Sequence, residues 1–236
     1  MNSLRSVAQD GIRALPGVGP LASFERCVSV FAQSQPADTV YLIEEGLVKL
    51  TRSNGTGGRI ILSICGPGQL VGEEALSGDS RYYAEAMTIT GATLRGAPRE
   101  VLLNALGSNT EVGKELIGYL ISRKRELAEK VELLCLHDVE YRILHYLAQL
   151  SMLLPPAANG NGSQIPITQL ELADLIGATR ETTSTTLNQL ERRGLLKLSR
   201  RLLTVHSPEN LRSAAAARLS ASPAPTSQGS ATGANS

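Results

Sequence analysis

The 236-residue sequence predicts an α+β protein in which an N-terminal β-roll (jelly roll) is followed by one long helix and a C-terminal winged helix-turn-helix. Three observations predict this order. Short alternating runs separated by turn residues occupy the first part, an uninterrupted helical pattern occupies the middle, and two short helical patterns then precede a basic hairpin. The expected segments are a leader at 1–20, the roll at 21–109, the long helix at 110–137, the helix-turn-helix domain at 138–219 and a disordered tail at 220–236.

Composition indicates a cytoplasmic protein with reduced thiols and no metal site. Apolar residues make up 42% of the chain, enough for two cores. No apolar run approaches the roughly 20 residues of a membrane span. The sequence shows no Ser-His-acid, metal-ligand or phosphate-loop pattern, so an enzyme is not expected. The three cysteines are far apart in the chain, at Cys27, Cys65 and Cys135.

The roll is predicted from short strands within residues 23–97. Asn54-Gly55 between two alternating runs is a strong hairpin signal, and Gly66-Pro67-Gly68 predicts another turn. Many short strands at this spacing are typical of a barrel or a sandwich. A short helix is expected in the leader, at 3–14. The predicted strands are 27–32, 39–44, 47–53, 59–65, 85–90 and 92–96.

Two helices are predicted after the roll, one at 98–109 with Pro98 in its first turn and one from Thr110 to about 137. In the longer helix, apolar residues recur at the alternating three- and four-residue spacings of a two-stranded coiled coil. The sequence therefore predicts homodimerisation through this helix, and the alternative is a helix packed on its own domain. The predicted seam consists of Ile117, Leu120, Lys124, Leu127, Val131 and Leu134, with Lys124 as the polar interruption.

The C-terminal part is predicted to contain a helix at 139–153, a loop at 154–163, a short strand at 165–167 and then two short helices. Gly177 ends the first short helix, where the backbone needs positive φ. Thr179 caps the second short helix, and Thr182 cannot complete a capping box. An alternating hairpin with a basic tip follows from Lys197, so the segment is predicted to be a winged helix.

This winged helix is predicted to bind DNA. Between residues 177 and 206, six Lys or Arg stand against two Glu, a local excess of +4 in a chain of net charge +1. Phosphate contacts require such a local excess. Long and hydrogen-bonding side chains at the start of the second short helix suit base edges in the major groove. The alternative is an ordinary helical hairpin with a solvated charged face.

Two motifs carry a resemblance to a known family. One runs Ile167-Thr168-Gln169-x-Glu171-Leu172-Ala173 and continues with Gly177-Ala178-Thr179-Arg180-Glu181-Thr182. It resembles the DNA-binding domain of the catabolite activator/FNR (Crp/Fnr) family of bacterial transcription regulators. The other, Gly66-x-Gly68-x-x-Val71-Gly72-Glu73-Glu74, resembles the cyclic-nucleotide-binding β-roll of the same family. The resemblance implies an effector-gated homodimer that binds a palindrome in double-stranded DNA and works with RNA polymerase. The alternative is a cyclic-nucleotide-binding regulatory module without a DNA role.

The resemblance also implies roles for single residues in DNA recognition. Arg180 would bind a guanine through O6 and N7, and Glu181 would accept from a cytosine N4. Ser184 matches a serine that oxygen-sensing members use, and Thr185 stands where the family has a second arginine, so its base pair should be read weakly. The expected half-sites resemble TGTnA or TTGA, about one helical turn apart. Thr168, Gln169, Arg200 and Arg201 are expected to contact the phosphate backbone of the DNA, and Thr179 is a further expected DNA contact.

The effector site that the resemblance implies departs from the cyclic-AMP pattern. Gly72 and Glu73 match the pair that binds the ribose. Tyr82 and Tyr83 stand where an Arg-Ser pair should hold the cyclic phosphate, and Arg81 falls one residue early. On the long helix, Leu127-Ala128 replaces the Thr-Ser pair that closes over the adenine. These changes remove hydrogen bonds that a buried nucleotide needs, which disfavours cyclic AMP.

A small anionic effector is expected instead. Arg81 and Arg123 resemble the arginines through which the cyanobacterial nitrogen-control regulator of the family senses 2-oxoglutarate. Two guanidiniums from different elements suit a small dicarboxylate. The alternatives are that both arginines form surface salt bridges, and that no effector exists. The N-terminal cysteine cluster of the iron–sulfur members is absent. The expected effector residues are Gly72, Glu73, Arg81, Tyr82 and Arg123.

Overall fold

The computed structural model describes residue 13 and residues 15–78, 80–154 and 162–221. Except for Arg13, the helix expected at 3–14 lies outside the described residues. The tail lies outside them from residue 222 onward, and so does most of the loop expected at 154–163.

The N-terminal part forms a roll of two antiparallel four-stranded sheets. The strands are β1 Leu21–Phe24, β2 Ser29–Phe31, β3 Thr39–Glu45, β4 Val48–Ser53, β5 Arg59–Cys65, β6 Leu70–Val71, β7 Glu85–Thr88 and β8 Ala92–Pro98. One sheet has the order β1-β8-β3-β6 and the other the order β2-β7-β4-β5. A short 3-10 helix, Glu73–Ser77, follows β6.

Each of the six predicted strands overlaps an observed one, and two observed strands were not predicted. β6 has only two residues, both buried, so it offers no alternation to detect. β1 has four residues, and its apolar side chains, Leu21, Ala22 and Phe24, do not alternate with polar ones. The strand expected at 27–32 is shorter, because Cys27 has φ 63 and its backbone cannot continue an extended strand. The strand expected at 85–90 ends at Thr88.

Two helices follow the roll, α1 (Arg99–Ser108) and α2 (Thr110–Leu136). They are separated at Asn109, whose side chain accepts a hydrogen bond from Glu111 N at 3.0 Å and so caps α2. α2 lies against the roll along one face only. From that face Tyr119 enters the core that β3, β6 and β8 build.

The C-terminal domain begins with α3 (Val139–Leu153), capped by Asp138, which accepts from Tyr141 N at 2.9 Å. Its apolar core also includes Ile61 of β5 in the roll, and Ile64 of the same strand packs against that core. The other elements are β9 (Ser163–Ile165), α4 (Gln169–Ile176), α5 (Arg180–Arg192), β10 (Leu196–Ser199), β11 (Leu202–Val205) and α6 (Pro208–Ala221). The three strands form a small antiparallel sheet in the order β10-β11-β9.

Two boundaries predicted in this domain were wrong. The strand expected at 165–167 lies at 163–165, because Ile167 N donates to Ile165 O at 2.9 Å and the chain turns there before α4. The tail was expected to begin at residue 220, but α6 continues through Ala221. Four consecutive alanines after Ser213 favour helix, because alanine has the highest helix propensity.

Candidate nucleic-acid interface and effector site

The first helix of the helix-turn-helix begins with a complete capping box. Thr168 Oγ1 accepts from Glu171 N at 3.1 Å, and the Glu171 carboxylate accepts from Thr168 N at 2.9 Å. The Thr-x-x-Glu spacing is visible in the sequence but was missed there. Thr168, expected at the DNA backbone, is therefore already engaged in capping the start of its own helix. Gln169, the first residue of α4, is half-buried.

The turn between α4 and α5 has the conformation that the sequence predicts. Gly177 adopts φ 63 and ψ 45, which is left-handed and costs glycine little. Thr179 Oγ1 accepts from Thr182 N at 3.2 Å and so caps α5. The Thr182 hydroxyl lies 3.0 Å from the same atom. Thr179 therefore fixes the start of α5, the helix expected to enter the major groove.

α5 presents the expected side chains to solvent. Its inner face consists of Thr183, Leu187 and Leu190, all buried. Arg180 and Glu181 are exposed, and within the described part of the chain neither side chain makes a hydrogen bond or an ion pair. Such free donor and acceptor groups at a helix start are available to base edges. The rest of this outer face consists of Ser184, which is half-buried, with Thr185 and Asn188, which are exposed.

The wing lies beside α5 and is attached to it by a contact that the sequence did not suggest. Glu191 Oε1, on α5, accepts from Leu198 N in β10 at 2.7 Å. Arg200 and Arg201 form the exposed tip between β10 and β11, and Arg201 is left-handed with φ 60. Both arginines are exposed at this turn, where contacts with DNA phosphates were expected. By contrast, Arg193 pairs with Glu140 of α3 at 2.5 Å.

Three of the expected effector residues, Gly72, Glu73 and Arg123, lie together where α2 meets the roll. Gly72, left-handed with φ 85, precedes the 3-10 helix that starts at Glu73. Arg123 Nε of α2 lies 3.8 Å from Glu73 Oε1, and Arg123 Nη2 donates to Ser63 Oγ of β5 at 3.1 Å. Burial raises the pKa of Glu73, and the nearby Arg123 opposes that shift. A second carboxylate, Glu126, is 2.6 Å from Arg123 Nη1.

Tyr119 completes this group and was missed in the sequence. Its hydroxyl donates to Leu70 O and accepts from Leu70 N, both at 2.9 Å, and lies 3.4 Å from Glu73 Oε1. Burial raises the pKa of Tyr119 well above its ordinary value. The only available signal was a tyrosine at helical spacing from Arg123, which does not distinguish a site residue from a core residue.

The other expected effector residues lie elsewhere. Arg81 is exposed and donates to Ser34 O at 2.8 Å. Tyr82 is buried in the core of the roll, where it stacks on Phe31 with ring centroids 3.8 Å apart. Its hydroxyl donates to Thr39 O at 2.7 Å. The contacts of Arg81 are therefore separate from the Glu73–Arg123 pair.

The predicted seam of α2 is exposed over most of its length. Ile117, Leu127 and Val131 are 60%, 57% and 54% exposed, and Leu120 is 42% exposed. This exposure favours the predicted seam over the alternative of a helix packed on its own domain. Leu134 differs, because its side chain lies against the turn of the helix-turn-helix at Gly177.

Comparisons with known proteins agree with this arrangement. Residues 22–109 match the cyclic nucleotide-binding domain, and residues 141–214 match the Crp-like helix-turn-helix domain. The Cyclic AMP receptor protein of Thermus thermophilus is 30% identical over 169 residues, which cover 72% of this chain and 76% of the relative. The Global nitrogen regulator of a Nostoc species is 28% identical over 193 residues, 80% of this chain and 86% of the relative. A CRP-family transcriptional regulator of Thermus thermophilus superimposes with a TM-score of 0.72 and 26% identity, covering 83% of this chain and 96% of the other.

A cyclic nucleotide-binding roll joined by a long helix to a winged helix-turn-helix defines a class of transcription regulators that bind DNA in a sequence-specific manner. The chain belongs to the Crp/Fnr family of that class. The family consists of regulators and not of enzymes. No helix among the described residues has the length and apolar character needed to cross a membrane. Within the same residues, no group of three or more His, Cys, Asp or Glu is placed to hold a metal ion.

Proposed function

We propose that this regulator acts in the cytoplasm as a homodimer on palindromic DNA and is gated by a small effector held in the roll. The observation that carries the dimer is the exposed apolar row on α2, which would leave several large aliphatic side chains in water in an isolated chain. Burying such a row against a second copy is favourable. A two-fold dimer places two α5 helices on two half-sites, so a palindrome follows from the symmetry.

The proposed DNA contacts fall into two classes. Arg180, Glu181 and Ser184 would meet base edges, and Thr185 would contribute a weaker, methyl-type contact. The wing arginines Arg200 and Arg201 would bind phosphates, because they are exposed at the tip of the wing and not on the helix expected to enter the groove. Thr168, Gln169 and Thr179 are proposed at the phosphate backbone through the helix starts that they form or cap. Recruitment of RNA polymerase is proposed from family membership.

The proposed effector is a small anion of the 2-oxoglutarate class. The guanidinium of Arg123 supports this proposal. It lies beside the half-buried Glu73, and its N–H groups donate hydrogen bonds to Ser63 and to Glu126. An anionic ligand could take over those donors. Cyclic AMP is less favoured, because Tyr82 occupies the core next to Gly72. Arg81 would have to leave Ser34 to join such a ligand.

Selection from a randomised DNA pool tests the proposal. The purified full-length protein is incubated with the pool alone, with cyclic AMP and with 2-oxoglutarate, and bound sequences are determined. The proposal predicts a palindrome that is enriched more strongly when 2-oxoglutarate is present. Equal enrichment in all three conditions would show that the roll does not gate binding. Enrichment of a single half-site, with a monomer in sedimentation, would contradict the dimer.

A further inference from the structure

One buried lysine joins the roll, the long helix and the helix-turn-helix. Lys130 of α2 is 6% exposed. Its ammonium donates to Ile61 O at 2.6 Å and to Leu62 O at 3.2 Å, both in β5 of the roll. It also donates to Leu175 O at 3.0 Å, in the last turn of α4. An ammonium has three hydrogens, so all three donors are used by two different domains.

The position of Leu175 makes this contact important for α5. The last carbonyls of a helix have no partner within the helix, and their partners therefore determine how the helix ends. Leu175 O is held by Lys130, and Ile176 O accepts from Arg142 Nη1 of α3 at 2.6 Å. Gly177 follows directly, and α5 begins at Arg180. Lys130 and Arg142 therefore fix the end of α4, which leads through the turn into α5, the recognition helix that would enter the major groove.

Two ion pairs add to the same contact between β4, β5 and α4, which we term the roll–α4 interface. Lys49 Nζ is 2.6 Å from Glu171 Oε1, and Arg59 Nη2 is 2.7 Å from Asp174 Oδ2. Burial alone would raise the pKa of Glu171, but its hydrogen bonds with Lys49 and Thr168 outweigh that effect, so its pKa lies below the ordinary value. Ile61, between these pairs on β5, is buried in the core of the C-terminal domain. The interface is therefore apolar at its centre and charged at its edges.

We propose that Lys130 is a positioning residue that fixes the distance between the two recognition helices of the dimer. This inference rests on the proposed dimer. Lys130 lies on the helix that would form the dimer seam. It also binds Leu175 O at the C-terminal end of α4, just before the turn that sets the orientation of α5. Fixing that orientation in each copy would make both α5 helices fit half-sites of one spacing. A bivalent protein gains affinity only when the geometry permits both contacts at once.

The test compares half-site spacing preference in wild-type protein and in Lys130→Met. The palindrome selected by the wild type is synthesised with its natural spacing and with two base pairs inserted or removed, and dissociation constants are measured. The wild type should lose about tenfold or more affinity when the spacing changes. Lys130→Met should bind the natural spacing more weakly and lose less than about threefold when it changes. Lys114→Met is the control: Lys114 lies on the same helix but is exposed and pairs with Glu111 of its own helix, so this variant should behave as wild type.

A role in stability alone would give a different result. Partial unfolding would weaken binding equally at every spacing, so a uniform loss in Lys130→Met would overturn the inference. A variant outside α2 keeps the test decisive if Lys130→Met fails to fold. Arg59→Glu should also flatten the spacing preference, and adding Asp174→Arg should restore it by re-forming the pair with reversed charges. A wild type without any spacing preference would contradict the proposed dimer instead.

Discussion

Gly177 lies directly against Leu134, the last residue of the predicted seam. A Cβ at position 177 would be 2.9 Å from Leu134 Cδ2. The turn of the helix-turn-helix therefore rests on the C-terminal end of α2. Because Gly177 also has φ 63, an alanine there would be strained in its backbone and would push against Leu134.

Gly177→Ala should lower the free energy of unfolding by about 2 kcal/mol. Urea denaturation measures the change. Gly113→Ala is the matched control, because Gly113 lies in α2 and its added Cβ would meet open space. The control should be neutral or stabilising by about 0.5–1 kcal/mol, since alanine favours helix. Equal effects of both substitutions would show that neither the turn nor Leu134 constrains position 177.

Leu127→Glu should convert the dimer into a monomer. Its side chain is 57% exposed in the single chain, and two copies would place charges opposite each other in an apolar seam. Sedimentation equilibrium measures the mass. Arg125→Glu also introduces a glutamate on the exposed part of α2, but away from the seam, and should leave the dimer intact. A Leu127→Glu dimer as tight as the wild type would place the interface elsewhere.

Lys130 should make stability depend on pH in the alkaline range. Burial lowers the pKa of Lys130 from 10.5 to about 8. Between these values the unfolded chain binds more protons than the folded one, so folding becomes more favourable as pH rises. From pH 7.5 to 9.5, the wild type should gain roughly 1–2 kcal/mol relative to Lys130→Met. Parallel pH profiles of the two proteins in urea denaturation would contradict this assignment.

The sequence was sufficient to predict the order of the large elements, because each has a strong local signal. The alternating three- and four-residue spacing of apolar residues predicted α2, and Gly177 followed by Thr179 predicted the turn and the start of α5. Strands without such a signal were missed. β6 is two residues long, and the four residues of β1 do not alternate between apolar and polar, so neither strand shows the pattern on which prediction depends.

The contacts between distant segments could not be predicted from the sequence. Lys130 looks like any charged residue on an amphipathic helix, and only the fold brings it to carbonyls of residues 61, 62 and 175. The same holds for Tyr119 beside Glu73. Tyr82 was expected near an effector but is buried against Phe31. The sequence around Tyr82 does not show which face of the roll its side chain occupies, so this burial could not be predicted.

The most direct test of the central claim, that α5 reads DNA sequence, is the affinity of Arg180→Ala for the selected palindrome and for random DNA. Arg180 is exposed and unpaired among the described residues, so its loss should not disturb the fold. The account predicts a loss of about 1–3 kcal/mol on the palindrome and little change on random DNA. Arg200→Ala, at the wing tip, should weaken both about equally. Equal losses for Arg180→Ala on both DNAs would show that this residue contacts only phosphate and would contradict the claim.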